Sequence, residues 1–481
     1  MADELARLDA TAQAELVRSG EASPRELVDA AIERIERTNP DLNAVILRLD
    51  EKARQAADDP ALPDGPFRGV PILVKDLLCR TAGDPYTAGM RMLQQARWVD
   101  DADSWMAARL RKAGFIIVGK TNTPELGSTT TTEPLAHGPS RNPWNLEHSP
   151  GGSSGGSASA VAGGLTAVAE ANDGGGSIRI PASTCGLVGL KPARGRISLG
   201  PQIGDVWTGY VAEGVVSRSV RDTAAVLDVV HGSLPGDHHV APAPARPYLD
   251  EVGADPGRLR IGLLTRAPND AVPVDPECVT AAERTARLLE TLGHRVDVAH
   301  PAALDREAVL DAFTVVVTSW VAHDLEYWSK RTGVPADESV IEGGNLALAT
   351  AGRTHSAATY IDAVDQLQCI TRDVVSWFTD GYDLLLTPTI AVPPARIGDF
   401  TPTPDDPDRG YHRSVPFAIF TSPFNVTGQP AISLPLHWSA DGLPIGSQLV
   451  AAPHREDLLI RIAAQLEQAA PWADRRPPVH A

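Results

Sequence analysis

The stretch from Gly151 to Pro181 reads GGSSGGSASAVAGGLTAVAEANDGGGSIRIP and contains two serine-bearing, glycine-rich segments. Glycine has no Cβ, so such segments let the backbone turn sharply and let another group approach closely. A serine in this setting presents its hydroxyl beside backbone N–H groups that no side chain shields. Ser153 and Ser177 lie 24 residues apart in this stretch, and we expect the chemistry of the chain to centre on them.

Lysine is rare in this chain, which has six lysines and 37 arginines. Arginine keeps its charge in proteins, whereas lysine can lose its proton when burial lowers its pKa. Lys75 ends the apolar run of GVPILVKD (69–76), so we expect a buried amine that can act as a base. For Lys120 and Lys191 the sequence favours a structural hydrogen-bonding role.

Composition and charge exclude several classes of protein. The formal net charge is −18 and no lysine–arginine cluster offsets it, which argues against nucleic-acid binding. Uninterrupted apolar runs such as residues 113–119 are far shorter than a membrane span, and the acidic, polar beginning is unlike a signal peptide. The four cysteines show no metal-ligand spacing. We therefore expect a cytoplasmic protein without a metal, organic cofactor, nucleic-acid partner or membrane partner.

Strands and helices alternate along most of the chain, which predicts an α/β protein. Residues 4–19 form a predicted helix, and a second one begins at the capping motif Ser23-Pro24-Arg25-Glu26 and ends near residue 37, before Asn39-Pro40. Residues 70–74 form a buried strand that places Lys75 at its carboxyl end. The predicted architecture is a single large α/β/α unit with a mixed, mainly parallel central sheet flanked by helices.

No linker or internal repeat divides the sequence, so we predict one domain over residues 1–481. Its N-terminal helices cover about 4–38, the core that contains most of the motifs covers about 65–230, and a more variable, mainly helical segment covers about 235–380. Aromatic residues in the variable parts are candidates for a binding pocket, because pockets are mostly apolar with a few polar anchors. The candidates are Trp207, Tyr210, Trp320 and Trp328.

Two short motifs suggest functions that their surroundings disfavour. GFIIVGKT (114–121) fits the phosphate-loop pattern, but its variable positions are apolar strand residues whose N–H groups belong to a sheet. GGSSG (151–155) fits the nucleophile elbow of α/β-hydrolases, but a loop-like segment precedes it where that motif needs a strand.

A third interpretation joins Lys75 with the two serines. A neutral lysine can accept the proton of a serine and so activate it as a nucleophile. The run Gly174-Gly175-Gly176-Ser177 offers consecutive N–H groups suited to the oxyanion of acyl transfer. The alternative is that both segments are ordinary Gly/Ser turns and that Lys75 is a buried hydrogen-bond donor.

Taken together, these motifs make the chain resemble the amidase signature family over nearly its whole length. The resemblance rests on GVPILVKD (69–76), GKTNTPE (119–125), RNPWN (141–145), GGSSGGSASA (151–160), NDGGGSIRIPASTCGLVGLKP (172–192), LLLTPT (384–389) and FNVTGQPAISLP (424–435). One departure is Gly174, which replaces the β-branched residue common in the family's DTGGS motif and predicts a more flexible loop.

The resemblance implies roles for individual residues. Lys75 would be the base, Ser153 a bridging serine with a cis peptide bond, and Ser177 the acylated nucleophile. The N–H groups of residues 174–177 (Gly174, Gly175, Gly176 and Ser177) would form the oxyanion hole. Asp173 and Arg179 would support that loop, and Gly127 and Ser128 would line the substrate cleft.

Within the family, TAQAELVRSGE (11–21), TTEP (131–134), RGRISLGP (194–201) and the 424–435 segment look most like the 6-aminohexanoate cyclic dimer hydrolases. The implied function is a cofactor-free serine amidohydrolase that cleaves cyclic or linear oligoamides, anilides or carbamates, including urethanes, and we leave open a homodimer. The rival interpretation is the amidase-like subunit of a tRNA-dependent glutamine amidotransferase. Those subunits carry an arginine that binds the glutamine carboxylate, and the corresponding segment here, residues 340–345, has none.

Overall fold

Strands from most of the chain form one 11-stranded sheet. The computed structural model describes residues 2–403, 405–406 and 409–481. The strands are β1 (Val45–Arg48), β2 (Pro71–Lys75), β3 (Ile116–Thr121), β4 (Val168–Asp173), β5 (Val188–Lys191), β6 (Ala212–Ser217), β7 (Arg260–Leu263), β8 (Arg295–Val298), β9 (Leu384–Pro388), β10 (Ala431–Trp438) and β11 (Pro444–Ala451). Their order across the sheet is β1-β3-β2-β4-β6-β5-β10-β11-β9-β7-β8.

The sheet is mixed, as the sequence predicts. Parallel pairings form two blocks, β3-β2-β4 and β9-β7-β8. The pairings between those blocks are antiparallel, because β10 and β11 form a hairpin and β6 runs against both β4 and β5. The antiparallel pairings outnumber the parallel ones, so "mainly parallel" describes the two blocks rather than the whole sheet. The carboxyl ends of β2 and β4 lie side by side, which brings the glycine-rich turn after β4 close to Lys75.

Helices cover both faces of this sheet. They are α1 (Ala2–Leu5), α2 (Ala10–Ser19), α3 (Pro24–Leu42), α4 (Asp50–Asp58), α5 (Arg91–Ala96), α6 (Trp105–Lys112), α7 (Gly155–Ala162), α8 (Arg179–Cys185), α9 (Val220–Val230), α10 (Pro276–Thr291), α11 (Ala308–Thr332), α12 (Gly343–Gly352), α13 (Ala357–Thr379), α14 (Arg409–Ala418), α15 (Ser422–Val426) and α16 (Glu456–Ala469).

Alternate residues of the central strands belong to different cores. Ile72 and Val74 pack in a cluster with residues of α6, α9 and α16. Leu73, between them, packs with residues of α3, α7 and α8. Successive side chains of a strand point to opposite faces, so β2 is buried on both sides, which explains its continuous apolar run.

The N-terminal helices differ from the prediction at two points. Residues 4–19 are not one helix, because the chain breaks after α1 and Asp9 caps the start of α2. The capping box at Ser23 and Glu26 forms as predicted, but α3 continues past Pro40 and ends where Asn43 adopts a left-handed conformation. The Asn39 side chain accepts the N–H groups of residues 44 and 45, so this asparagine organises the helix end without stopping the helix.

One helix in the described residues, α11, is long and apolar enough by length and composition to cross a membrane. Its best window has a mean hydropathy of 1.3 and is 39% buried. Polar residues are interspersed along α11, so its sequence contains no long uninterrupted apolar run. In the protein α11 packs against α12 and α13, and several of its side chains line the cavities described below.

Candidate active site

Lys75 ends β2 with its side chain fully buried. Its Nζ lies 2.7 Å from the Ser153 Oγ and 2.7 Å from the Asn172 Oδ1. Its backbone N–H donates to the Glu170 Oε2 at 2.8 Å. The amine is therefore held against a serine hydroxyl by two short contacts, at the position that the sequence predicts for it.

Burial controls the charge of this lysine. It lowers the pKa of Lys75 from the ordinary value of 10.5 to about 7, although the carboxyl groups of Glu170, Asp173 and Glu213 act in the opposite direction. Water solvates an ammonium far better than the protein interior does, so burial favours the neutral amine. A lysine with a pKa near neutrality can exchange protons at the pH of the cell.

Ser153 lies in the loop that leads into α7. The peptide bond between Gly152 and Ser153 is cis, as the resemblance implies. Gly127, from the neighbouring segment, faces this serine, and a Cβ at Gly127 would lie 3.1 Å from the Ser153 Oγ and 2.6 Å from the Leu77 Cδ2. Only glycine leaves the approach to the Ser153 hydroxyl open.

Ser177 lies in the turn between β4 and α8 and is half-buried. It lines both of the cavities that meet at this turn. Its carbonyl accepts the N–H of Ser154 at 3.3 Å, whereas its hydroxyl makes no hydrogen bond to the described residues. Of the two serines singled out by the sequence, Ser177 is the one whose hydroxyl is free to meet another molecule.

The predicted oxyanion hole requires one correction. The N–H of Gly176 donates to the Asp173 Oδ1 at 2.7 Å, so it is not free to bind an oxyanion. The N–H groups of Gly174, Gly175 and Ser177 make no hydrogen bond to the described residues. Three of the four predicted donors thus remain available beside the Ser177 hydroxyl.

Asp173 and Arg179 form a fully buried ion pair under this turn, with 2.9 Å between the Arg179 Nη2 and the Asp173 Oδ1. Although burial acts to raise it, the Arg179 guanidinium holds the pKa of Asp173 well below its usual range. Asp173 also accepts the N–H groups of residues 176 and 178. An ionised carboxylate therefore organises the backbone of the turn, in agreement with a supporting role.

Two cavities flank Ser177. The larger measures about 290 Å³ and combines aromatic walls with ionisable side chains, the latter being Arg80, Asp205, His323 and Asp324. The smaller measures about 80 Å³ and is lined mainly by apolar side chains from α11 and α14, together with Ser128 and Gly175. Gly127, Ser177 and Trp207 belong to both.

The predicted pocket residues are divided by the structure. Trp207, Trp320 and Trp328 line the larger cavity. Tyr210 does not, because it is buried in a cluster with residues of α11 and α13. Gly127 lines both cavities, and Ser128 lines the smaller one with its hydroxyl donated to the Glu125 carbonyl at 3.1 Å.

Gly174 is buried beneath the Trp207 ring. A Cβ at this position would lie 3.1 Å from Trp207 ring atoms and 3.1 Å from the Val211 Cγ2. The space that a β-branched residue would fill is thus taken by an aromatic wall of the cavity. Trp207 and Thr208 both have positive φ angles, 50° and 54°, a conformation that is costly for bulky and β-branched residues.

This packing makes Gly174 a test of the cavity wall. We expect Gly174→Val to displace the Trp207 ring and to lower kcat/KM for the preferred amide by about tenfold to a hundredfold, the range of a misshapen pocket. The melting temperature should change little. Gly343→Val is a matched control, because a Cβ there meets nothing within 4 Å. Equal kinetics in both variants would show that Trp207 does not shape the substrate site.

A possible cation site lies near the larger cavity. In the described residues one group of potential metal ligands comes together, Asp205 with His238 and His239, whose ligand atoms lie within 4.8 Å of one another. The two imidazoles stack with an interplanar angle of 14°. Nitrogen lone pairs lie in the ring planes, so two nearly parallel rings do not point at one ion. This geometry does not favour a metal centre.

The other lysines and motifs from the sequence occupy structural positions. Lys120 lies within β3 and donates to the Pro85 carbonyl at 2.8 Å, so the phosphate-loop pattern is a strand, as predicted. Lys191 donates to the Pro192 carbonyl at 3.0 Å. Burial also lowers the pKa of Lys191 to about 7, but Lys191 lines neither of the two cavities beside Ser177.

Sequence reasoning missed three residues that hold the site together. The Asn172 Oδ1 accepts a hydrogen bond from the Lys75 amine, and the Asn172 Nδ2 donates to the Leu77 carbonyl at 2.7 Å. Thr421 donates to the Gly175 carbonyl at 2.6 Å, and the Asn425 Nδ2 donates to the Asp173 carbonyl at 2.8 Å. Asn172 and Asn425 lie inside the quoted motifs NDGGGS and FNVTGQP, and their place in these motifs was the sequence feature that could have identified them.

Comparisons with known proteins show the family to which the chain belongs. A family model described as Amidase matches residues 26–460. The 6-aminohexanoate-cyclic-dimer hydrolase of Pseudomonas sp. (strain NK87) is 46% identical over 476 residues, which cover 98% of this chain and 96% of that protein.

Solved structures give the same result. A 6-aminohexanoate cyclic dimer hydrolase complexed with substrate matches with a TM-score of 0.95 at 44% identity, covering 99% of this chain and 100% of that one. A bacterial aryl acylamidase of the amidase signature family matches with a TM-score of 0.88 at 29% identity, covering 97% of each chain. The resemblance drawn from the motifs is confirmed: the chain belongs to the amidase signature family, whose enzymes hydrolyse carbon–nitrogen bonds other than peptide bonds.

Proposed function

We propose that this amidase works through an acyl-enzyme on Ser177, activated by Ser153 and neutral Lys75. The observation that carries the proposal is the 2.7 Å contact between the Lys75 Nζ and the Ser153 Oγ, at a fully buried amine next to a turn that presents a free serine hydroxyl. An unactivated serine is a poor nucleophile, and a neutral lysine is a competent base for it.

In the acylation step, the Ser177 oxygen attacks the substrate carbonyl and passes its proton to Ser153. Ser153 gives its own proton to Lys75, which becomes an ammonium. The N–H groups of Gly174, Gly175 and Ser177 are the proposed donors to the oxyanion. This order of proton transfers requires the Ser177 hydroxyl to donate to Ser153 in the Michaelis complex. Catalytic hydrogen bonds often tighten only when substrate is bound.

The tetrahedral intermediate then breaks the carbon–nitrogen bond. Lys75 returns its proton through Ser153 to the leaving nitrogen, so the product departs as an amine rather than as an amide anion. A water molecule then gives a proton to Lys75 through Ser153 and attacks the acyl carbon. The acid is released when Lys75 returns that proton through Ser153 to the Ser177 oxygen. The residues need no cofactor for these steps.

We infer that the substrates are small and largely uncharged amides: cyclic or linear oligoamides, anilides or carbamates. The larger cavity supports this inference with three tryptophan rings (Trp207, Trp320 and Trp328) beside Ser177. The apolar smaller cavity offers room for part of the substrate on the other side of that serine. A cyclic oligoamide and an aryl amide are also the compounds after which two of the related enzymes are named.

A second candidate, an amidotransferase-type glutaminase, is favoured by one observation. Arg80 lines the larger cavity, stacks over Tyr86 and Trp328, and its Nε has no hydrogen-bond partner. Such a cation suits a glutamine carboxylate. Against this, the segment Val340–Asn345 carries no arginine, and Glu342 and Asn345 bond to Glu125. The same cavity also contains the acidic side chains of Asp205 and Asp324.

A hydrolysis panel tests the substrate class. We expect kcat/KM for a cyclic oligoamide, an anilide or a carbamate to exceed that for free glutamine by about a hundredfold, because the aromatic walls desolvate a zwitterion and Asp205 and Asp324 lie in the cavity that its carboxylate would enter. The assay measures product amine or ammonia for each compound under one set of conditions. Efficient glutamine turnover without oligoamide, anilide or carbamate hydrolysis would favour the second candidate. So would a native mass showing that the active species contains a second, different protein chain.

A further inference from the structure

Two buried glutamates lie near Lys75 and take no part in the proposed relay. Glu170 is 0% exposed and Glu213 is 1% exposed. Glu170 is on β4, opposite Val215 of β6, and Glu213 is opposite Asn172. This register makes the two glutamates diagonal neighbours on the same face of the sheet, a spacing that long side chains span.

Their oxygens are short of hydrogen bonds. The Glu170 Oε1 and both carboxyl oxygens of Glu213 are buried without a partner. An ionised carboxylate buried without compensation costs several kcal/mol. Two neighbouring carboxylates in this setting therefore do not both ionise, and one proton between them satisfies an oxygen on each.

The surrounding groups indicate which glutamate is ionised. Glu170 accepts the backbone N–H of Lys75 at 2.8 Å, and Lys75 and Lys120 both favour its charged form. Glu213 accepts no hydrogen bond and has Lys75 as its one favourable charge. Burial raises the pKa of both groups, and repulsion by Glu213 adds to this for Glu170. We nevertheless assign the charge to Glu170, because it is the glutamate of the two that accepts a hydrogen bond.

The other titratable groups near this cluster have partners or remain neutral. Asp173 is paired with Arg179. Asp76, next to Lys75 in sequence, accepts the Thr87 N–H and lies 3.5 Å from the Lys120 Nζ. Cys79 stays a thiol, because burial and both glutamates raise its pKa. Of these acidic groups, the glutamate pair is thus the one near Lys75 that no cation compensates within ion-pair distance.

We propose that Glu170 and Glu213 form an acid–carboxylate pair that shares one proton, with the charge on Glu170, and that this single charge positions and tunes the Lys75 amine. The inference rests on the proposed function of Lys75 as the base. When Lys75 takes up the serine proton, the new ammonium faces one negative charge. Two charges would hold the lysine protonated and idle, and none would leave the buried ammonium unsupported.

The proton uptake of Lys75 can be observed directly, since the chain has only six lysines. The protein is labelled with ¹³C at the lysine ε carbon, the Lys75 signal is identified by its loss in Lys75→Ala, and its midpoint is followed against pH. We expect Glu170→Gln to lower the midpoint by about one unit, a tenfold change in proton affinity, because removing a nearby negative charge disfavours the ammonium.

Glu213→Gln should leave the midpoint within about 0.3 units, because an amide imitates the protonated acid that we assign to Glu213. Glu467→Gln is the matched control. It removes a carboxyl group whose pKa burial raises to about 7. Glu467 is on α16 and accepts the Val220 N–H at the start of α9, so it does not lie beside Lys75. Equal shifts in Glu170→Gln and Glu213→Gln, or no shift in Glu170→Gln, would overturn the proposal.

Kinetics give an independent readout. The acidic limb of kcat/KM should move to lower pH in Glu170→Gln, together with a lower plateau rate; a merely structural effect would lower the plateau without moving the limb. Failure of the glutamate pair can be distinguished from failure of Lys75 as the base. If Lys75→Arg kept its activity, the base assignment would be wrong whatever the glutamates do. If Lys75 proves essential but its midpoint ignores Glu170, only the pair is wrong.

Discussion

Lys75→Arg should lose nearly all amide hydrolysis while the protein remains folded. A guanidinium does not give up its proton near neutral pH, so it cannot serve as the base. Lys75→Ala should be at least as poor, because general-base assistance alone is worth about 10²–10⁴-fold and loss of leaving-group protonation adds to it. The measurement is kcat/KM for an amide and a matched ester in wild type and both variants.

The ester should suffer less, because an alkoxide leaves with less need of a proton than an amine does. In wild type, kcat/KM should fall as the pH drops through about 7, since Lys75 becomes an ammonium below its pKa. Circular dichroism and thermal melting establish that the variants are folded. Near-wild-type amide hydrolysis by Lys75→Arg would make Lys75 a structural cation and would contradict the relay.

Ser177→Ala should have the largest effect of any single substitution, a loss of about 10⁶-fold in kcat, the size expected when a hydrolase loses its nucleophile. Ser153→Ala should cost less, about 10²–10⁴-fold, because it removes a proton relay but leaves the nucleophile in place. Steady-state and single-turnover rates on a chromogenic anilide measure both losses.

Ser159→Ala is the matched control for these variants. It lies in the same glycine- and serine-rich stretch and is fully buried, but its hydroxyl donates to the Arg141 carbonyl, away from both cavities. We expect it to retain activity. If Ser153→Ala were as inactive as Ser177→Ala and neither variant formed an acyl-enzyme, the rates would not support Ser177 over Ser153 as the nucleophile.

Local features of the site were predictable from the sequence. Lys75 ends an apolar run, and such a run indicates a strand buried on both faces, so the lysine was expected at the carboxyl end of that strand. The glycines around Ser153 and Ser177 implied turns with exposed N–H groups. Each of these conclusions depends on a few consecutive residues. In the structure Lys75 ends β2, Ser153 precedes α7, and Ser177 lies between β4 and α8.

Features that depend on contacts between distant segments were not predictable. The N–H of Gly176 is lost to the oxyanion hole because the Asp173 carboxylate turns back towards it. Glu170 and Glu213 are 43 residues apart in sequence and meet only through the register of β4 and β6. Tyr210 lies near a pocket residue in sequence but packs against α11 and α13, whose position no local pattern reveals.

The most direct test of the account is to locate the covalent intermediate. A fluorophosphonate reacts with the activated serine of a hydrolase, and peptide mass spectrometry then identifies the modified residue. We expect a single adduct on Ser177, formed rapidly by wild type and slowly by Lys75→Ala. An adduct mainly on Ser153 or Ser154 would contradict it.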